Sequence, residues 1–112
     1  MKIVDWHNLP EQGVSHDPEI KKKTLIGNGE IPQLMMFGTA VFKPGQRVNL
    51  HKHDTMYEVF YIQKGKVIFE VNGVEHELTS GHCITIAPGE LHAQTNPFEE
   101  DVSWTYFGIA TD

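Results

Sequence analysis

The chain has 112 residues, enough to bury the core of one domain and too few for two. Hydrophobic residues at 39% and charged residues at 21% exclude a disordered chain, and six prolines with ten glycines suit a fold with many turns. A formal net charge of −6, with Arg47 as the single arginine, excludes a phosphate-tracking nucleic-acid surface.

No apolar run approaches the ~20 residues of a membrane span. The start, Met1 to Trp6, lacks the apolar centre of a signal peptide, and the lone cysteine, Cys83, precludes an internal disulfide. A cytoplasmic, reducing location without membrane contact is therefore expected.

Residues 1–30 are the least periodic. Pro10, Gly13, Pro18, Gly27 and Gly29 interrupt any helix, leaving Ile3-Val4 and Leu25-Ile26 as possible short strands in a loop-rich arm. The run Lys21-Lys22-Lys23 reads as a solvated basic patch. Residues 31–112 read as one β domain.

Between Gln33 and Phe42 the chain is apolar on both faces, as in a buried strand. Lys43-Pro44-Gly45-Gln46 then places proline and glycine at the centre of a type II turn. In the strand that follows, period-two alternation puts His51 and His53 on one face, roughly 7 Å apart at the backbone. Asp54 to Met56 turn the chain, and Glu58 opens the return strand beside the two histidines.

After Glu58 a pattern recurs: Tyr57 to Gln63, a turn at Lys64-Gly65, Val67 to Val71, an Asn72-Gly73 hairpin turn, and Val74 to Leu78. Thr79-Ser80-Gly81 leads into Cys83 to Ile86. The turn from Ala87 to Leu91 then delivers His92, the leading candidate for a fourth metal ligand, to the start of another strand. A polar loop from Pro97 to Asp101 precedes the last strand, Val102 to Ala110. Many short strands with almost no helical periodicity predict an all-β fold, a small antiparallel β-barrel or jelly roll.

Gly45, His51, His53, Glu58 and Gly65 stand at the spacing of the first motif of the cupin superfamily, and Gly81, Gly89, His92 and Asn96 fit the second. Ala87 stands where the second motif places its first proline, with Pro88 one position later. The chain thus resembles a small single-domain cupin from Gly45 to Asn96. That resemblance implies a metal held by His51, His53, Glu58 and His92 inside a small antiparallel barrel. It also implies an N-terminal arm that crosses to a neighbouring subunit in a homodimer.

Three imidazoles and one carboxylate leave up to two positions of an octahedral ion open, and the donor types suit Fe, Mn, Ni, Zn, Co or Cu alike. Alternation assigns Arg47 and Asn49 to the face of His51 and Gln94 to that of His92, as polar candidates for substrate contact unless a bulge intervenes. Arg47 could bind a carboxylate bidentately or stand at the solvent rim. Tyr57, Tyr61 and Tyr106 could donate protons or simply pack, with Tyr106 kept as a possible substrate contact.

Among the other residues, Cys83 reads as a buried strand residue. His7, His16, His76 and His82 read as surface or hydrogen-bonded residues, with His16 the exception if the arm folds over the barrel mouth. On the Glu58 strand both faces are apolar: Phe60 and Ile62 share the metal side, whereas Tyr57, Val59 and Tyr61 form a second face. Subunit packing or the arm could cover that second face.

A small-molecule ligand or substrate is expected under every functional reading. The leading one is a metal-dependent oxygenase acting on a small organic molecule. The alternatives are a metal-dependent isomerase, epimerase or decarboxylase of a sugar or small acid, and a non-enzymatic small-ligand-binding module.

Overall fold

A computed structural model describes all 112 residues and shows ten strands and one turn of 3-10 helix, Trp6–Asn8. The strands are β1 (Gln12–Val14), β2 (Asp17–Ile26), β3 (Leu34–Phe42), β4 (Arg47–His51), β5 (Met56–Lys64), β6 (Lys66–Val71), β7 (Val74–Thr79), β8 (Cys83–Ile86), β9 (His92–Thr95) and β10 (Val102–Ala110). They form a six-stranded sheet in the order β1-β2-β3-β10-β5-β8 and a four-stranded sheet in the order β4-β9-β6-β7. Every pairing is antiparallel. The all-β jelly-roll expectation holds, although the two sheets face each other and are not closed by hydrogen bonds into a barrel. No helix is long and apolar enough to cross a membrane.

Short-range turn chemistry explains most connections. Gln46 N–H donates to the Lys43 carbonyl at 3.0 Å, closing the Pro44-Gly45 turn. Asn72 and Gly73 both have positive φ (49° and 83°), as a two-residue type I′ hairpin requires. Gly65 joins β5 of one sheet to β6 of the other, with φ 88°, and a Cβ there would lie 2.4 Å from the Asp101 carbonyl oxygen. No other residue satisfies both conditions.

The core lies between the sheets. Ala40, Phe42, Phe60, Ile62, Val102 and Trp104 meet Val48, Val67 and Phe69 of the smaller sheet, all at most 5% exposed. Phe69 reaches across to Phe60 (ring centroids 5.1 Å apart) and to Trp104 (5.9 Å). These edge-on contacts lock the separation of the sheets, which fixes the cavity that remains at one end.

Two readings of the first thirty residues change. Ile3-Val4 is not a strand, and Leu25-Ile26 is the end of a ten-residue strand, β2, that pairs with β3 inside the larger sheet. The glycine and proline that read as breakers instead build a tight hairpin: a Cβ on Gly13 would lie 2.7 Å from the Pro18 Cα. Cys83 is also corrected, from buried to exposed, because β8 is the edge strand of its sheet and the residue points outward.

Candidate metal centre

β4, β5 and β9 bring together the four residues named from spacing. One donor atom each from His51, His53, Glu58 and His92 lies within 4.8 Å of the others. Glu58 Oε1 is 3.1 Å from His92 Nε2 and 3.2 Å from His53 Nε2. The rings of His51 and His92 are 4.2 Å apart between centroids, and those of His51 and His53 are 5.2 Å apart.

Local geometry differs from the simple strand argument. β4 ends at His51, so His53 sits in the following loop and not on the strand. Gly89 N–H donates to the His53 carbonyl at 2.8 Å, tying this loop to the turn that precedes His92. That turn is closed by Glu90 N–H on the Ala87 carbonyl (3.2 Å), with Pro88 and Gly89 (φ 83°) at its centre. Proline followed by a positive-φ glycine is the type II arrangement, so the proline displaced from its motif position still forms the turn.

The imidazoles are oriented for a cation. His51 Nδ1–H donates to the Asn49 carbonyl (2.8 Å) and His92 Nδ1–H to the Glu90 carbonyl (2.9 Å), which turns each Nε2 toward the cluster. Three nitrogens and a carboxylate oxygen so disposed fit a divalent transition-metal ion.

Burial opposes the imidazolium of His92, but its hydrogen bonds to Glu58 and the Glu90 carbonyl outweigh that, and its pKa is raised above 6.5. At His51 burial dominates and the neighbouring histidines add to it, so the pKa falls below 6.5 despite the Asn49 carbonyl.

Beside the cluster is a cavity of about 170 Å³. Its walls include Val48, Phe60 and Trp104, with Gln94 and Tyr106 as polar members. Gln94 is buried, and its Oε1 is the one buried side-chain polar atom without a hydrogen-bond partner. Tyr106 stacks on Phe60 (5.4 Å, 2° between planes), and burial, reinforced by Glu58, pushes its phenol up to about 12.

Arg47 and Asn49 are not in this cavity. Val48 pairs with Gln94 and His51 with His92, so three steps along β4 match two along β9. The extra residue is a bulge, and it reverses the parity. Val48 thereby turns inward, while Arg47 and Asn49 are exposed on the outer side. The alternation assignment is corrected for both.

Sequence reasoning did not place Ser15 and Lys22 here, yet both line the cavity. His16 lines it as well, its ring 4.5 Å from that of His51. Their positions depend on pairing between β1, β2 and β3, which leaves no local signal.

A family model described as a cupin domain matches residues 38–108. The oxalate-binding protein of Thermotoga maritima is 30% identical over 69 residues, which cover 62% of this chain and 57% of that protein. The match therefore spans less than two thirds of that relative. Among solved structures, a predicted oxalate decarboxylase from Thermotoga maritima superposes with a TM-score of 0.89 at 22% identity, covering 97% of this chain and 99% of its own. The polyketide cyclase RemF from Streptomyces resistomycificus gives a TM-score of 0.82 at 18% identity, over 100% of this chain and 80% of its own. At such identities the structural likeness speaks for the fold alone. Residues 38–108 contain all four clustered ligands and most of both sheets, and the chain belongs to the cupin domain family.

Proposed function

We propose that the protein holds one divalent transition-metal ion through His51, His53, Glu58 and His92 and uses its remaining positions to bind a small carboxylic acid for decarboxylation or isomerisation. The observation that carries this reading is a four-donor cluster with correctly oriented imidazoles beside a small cavity. A bound ion would supply Lewis acidity toward the acid's oxygens.

The chain's own groups suit such a ligand. Phe60, Trp104 and Val48 exclude water from the cavity wall. Tyr106 stays protonated at physiological pH and so offers a hydrogen-bond donor. Gln94 brings an uncommitted carboxamide oxygen. An acid-binding relative in the same family supports the choice of ligand, and no residue here speaks specifically for oxygen activation.

With Mn²⁺-loaded protein, anaerobic addition of propionate is expected to change the manganese EPR spectrum. A spectrum unaffected by any small mono- or dicarboxylate would sink the proposal, and oxygen uptake driven by the acid in a parallel aerobic assay would return the chemistry to an oxygenase.

The outer face of the larger sheet supports a homodimer. Tyr57, Tyr61 and Ile109 are exposed there, while the N-terminal segment packs on the β2 and β3 side, where Trp6 Nε1–H donates to Thr39 Oγ1 at 2.7 Å. Sedimentation equilibrium at micromolar concentration should return twice the 12.7 kDa chain mass. A Tyr61→Glu variant should shift toward the monomer, and a monomeric wild type would refute the interface.

A further inference from the structure

The basic run on β2 is not uniform. Lys21 Nζ donates to the Pro18 carbonyl (2.8 Å), and Lys23 Nζ donates to the Trp6 carbonyl (3.0 Å) while lying 3.9 Å from the Trp6 ring centroid. Lys22 alternates to the opposite face. Its Cα pairs with Ala40, which pairs in turn with Trp104, so all three occupy one inward-facing row of the larger sheet.

Lys22 lines the same cavity as Glu58, Gln94 and Tyr106. The lysines that meet carboxylates are Lys2, with Glu30, and Lys52, with Asp54; Lys22 has no such partner. Lys22 is half-buried, and an ammonium in a cavity wall without a carboxylate partner is available to a bound anion.

We infer that Lys22 is a specificity-determining residue, an anion subsite that holds a second acidic group of the ligand while the first is bound at the metal. The inference rests on the small-acid reading above and narrows it to dicarboxylates that bridge the cavity. Charge supports it: a divalent ion held by one carboxylate leaves one net positive charge, and Lys22 adds another, matching a dianion. Size is compatible as well, because a cavity of about 170 Å³ has room for a short diacid. Ser15 and His16, in the turn between β1 and β2, add polar groups to the cavity wall, with the His16 ring 4.5 Å from that of His51.

The test compares malonate and succinate with propionate and butyrate, each titrated into Mn²⁺-loaded protein and followed by manganese EPR and calorimetry. Wild-type protein should bind the diacids roughly tenfold or more tightly, the range of one charge-assisted contact. Lys22→Met should bring the two classes to near parity while leaving manganese stoichiometry unchanged, and Lys22→Gln provides a second neutral replacement. Lys22→Arg, which keeps the charge, should preserve the preference.

Equal binding of both classes by the wild type, or a diacid preference that survives both neutral replacements, would overturn the role of Lys22 and leave the small-acid site intact. Failure of all four acids to perturb the bound manganese would overturn both.

Discussion

Replacing His92 by alanine is expected to abolish stoichiometric metal binding. His92 is fully buried, Glu58 Oε1 lies 3.1 Å from its Nε2, and its Nδ1 is fixed by the Glu90 carbonyl. β9 is held between β4 and β6 in the smaller sheet, which fixes the position of His92. Loss of a supporting contact around a metal typically weakens affinity 10–100-fold, so loss of a buried ligand should exceed roughly 100-fold.

The metal competes with a proton at this residue. The pKa of His92 is raised, so the imidazolium persists above pH 6.5 and must lose its proton for Nε2 to coordinate. Wild-type affinity should therefore fall as pH is lowered through that raised value, before an ordinary histidine would respond. Metal titrations with chromophoric chelators from pH 8 to 5.5 measure both effects. An alanine variant that binds one equivalent as tightly as the wild type would remove His92 from the ligand set.

Asn96→Ala should produce a large loss of stability without touching a ligand. Asn96 is fully buried; its Nδ2 donates to the carbonyls of Phe42 (3.0 Å) and Glu100 (2.8 Å), and its Oδ1 accepts from Phe98 N–H (3.0 Å). One side chain thus joins the end of β3 to the loop before β10. Alanine leaves two acceptors and one donor without partners at about 1–3 kcal/mol each, a total of about 3 kcal/mol or more. For a domain of this size that lowers the melting temperature by on the order of 10 °C. Thermal unfolding followed by circular dichroism decides it. A drop of under about 2 °C would mean that water replaces these contacts.

The contrast between His92 and Lys22 shows which parts of the site were legible. The ligand set followed from the spacing of Gly45, His51, His53, Glu58 and Gly65 and of Gly81, Gly89, His92 and Asn96, because short turns with fixed chemistry position these residues. The turns at Gly45 and Gly73 have the expected signs of φ for the same reason. Register was not legible. A single extra residue between Val48 and His51 sent Arg47 and Asn49 outward, and nothing local in Arg-Val-Asn-Leu-His marks that bulge.

Long-range pairing hid the other half of the cavity. Gly13 and Pro18 read as breakers, so β2 was not expected, and without β2 there was no parity from which to turn Lys22 inward. His16 reached the site by the same hairpin. Strand order likewise decided Cys83: a four-residue apolar strand gives no sign of whether it lies at the centre or the edge of its sheet.

Metal K-edge X-ray absorption of the Mn²⁺-loaded protein tests the central claim most directly, because it counts the ligands without mutation. The structure predicts multiple scattering from three imidazoles, with oxygen donors completing the shell and one oxygen exchanged when malonate is added. Fewer than three imidazoles, or a sulfur scatterer from Cys83, would contradict a site built from His51, His53, Glu58 and His92.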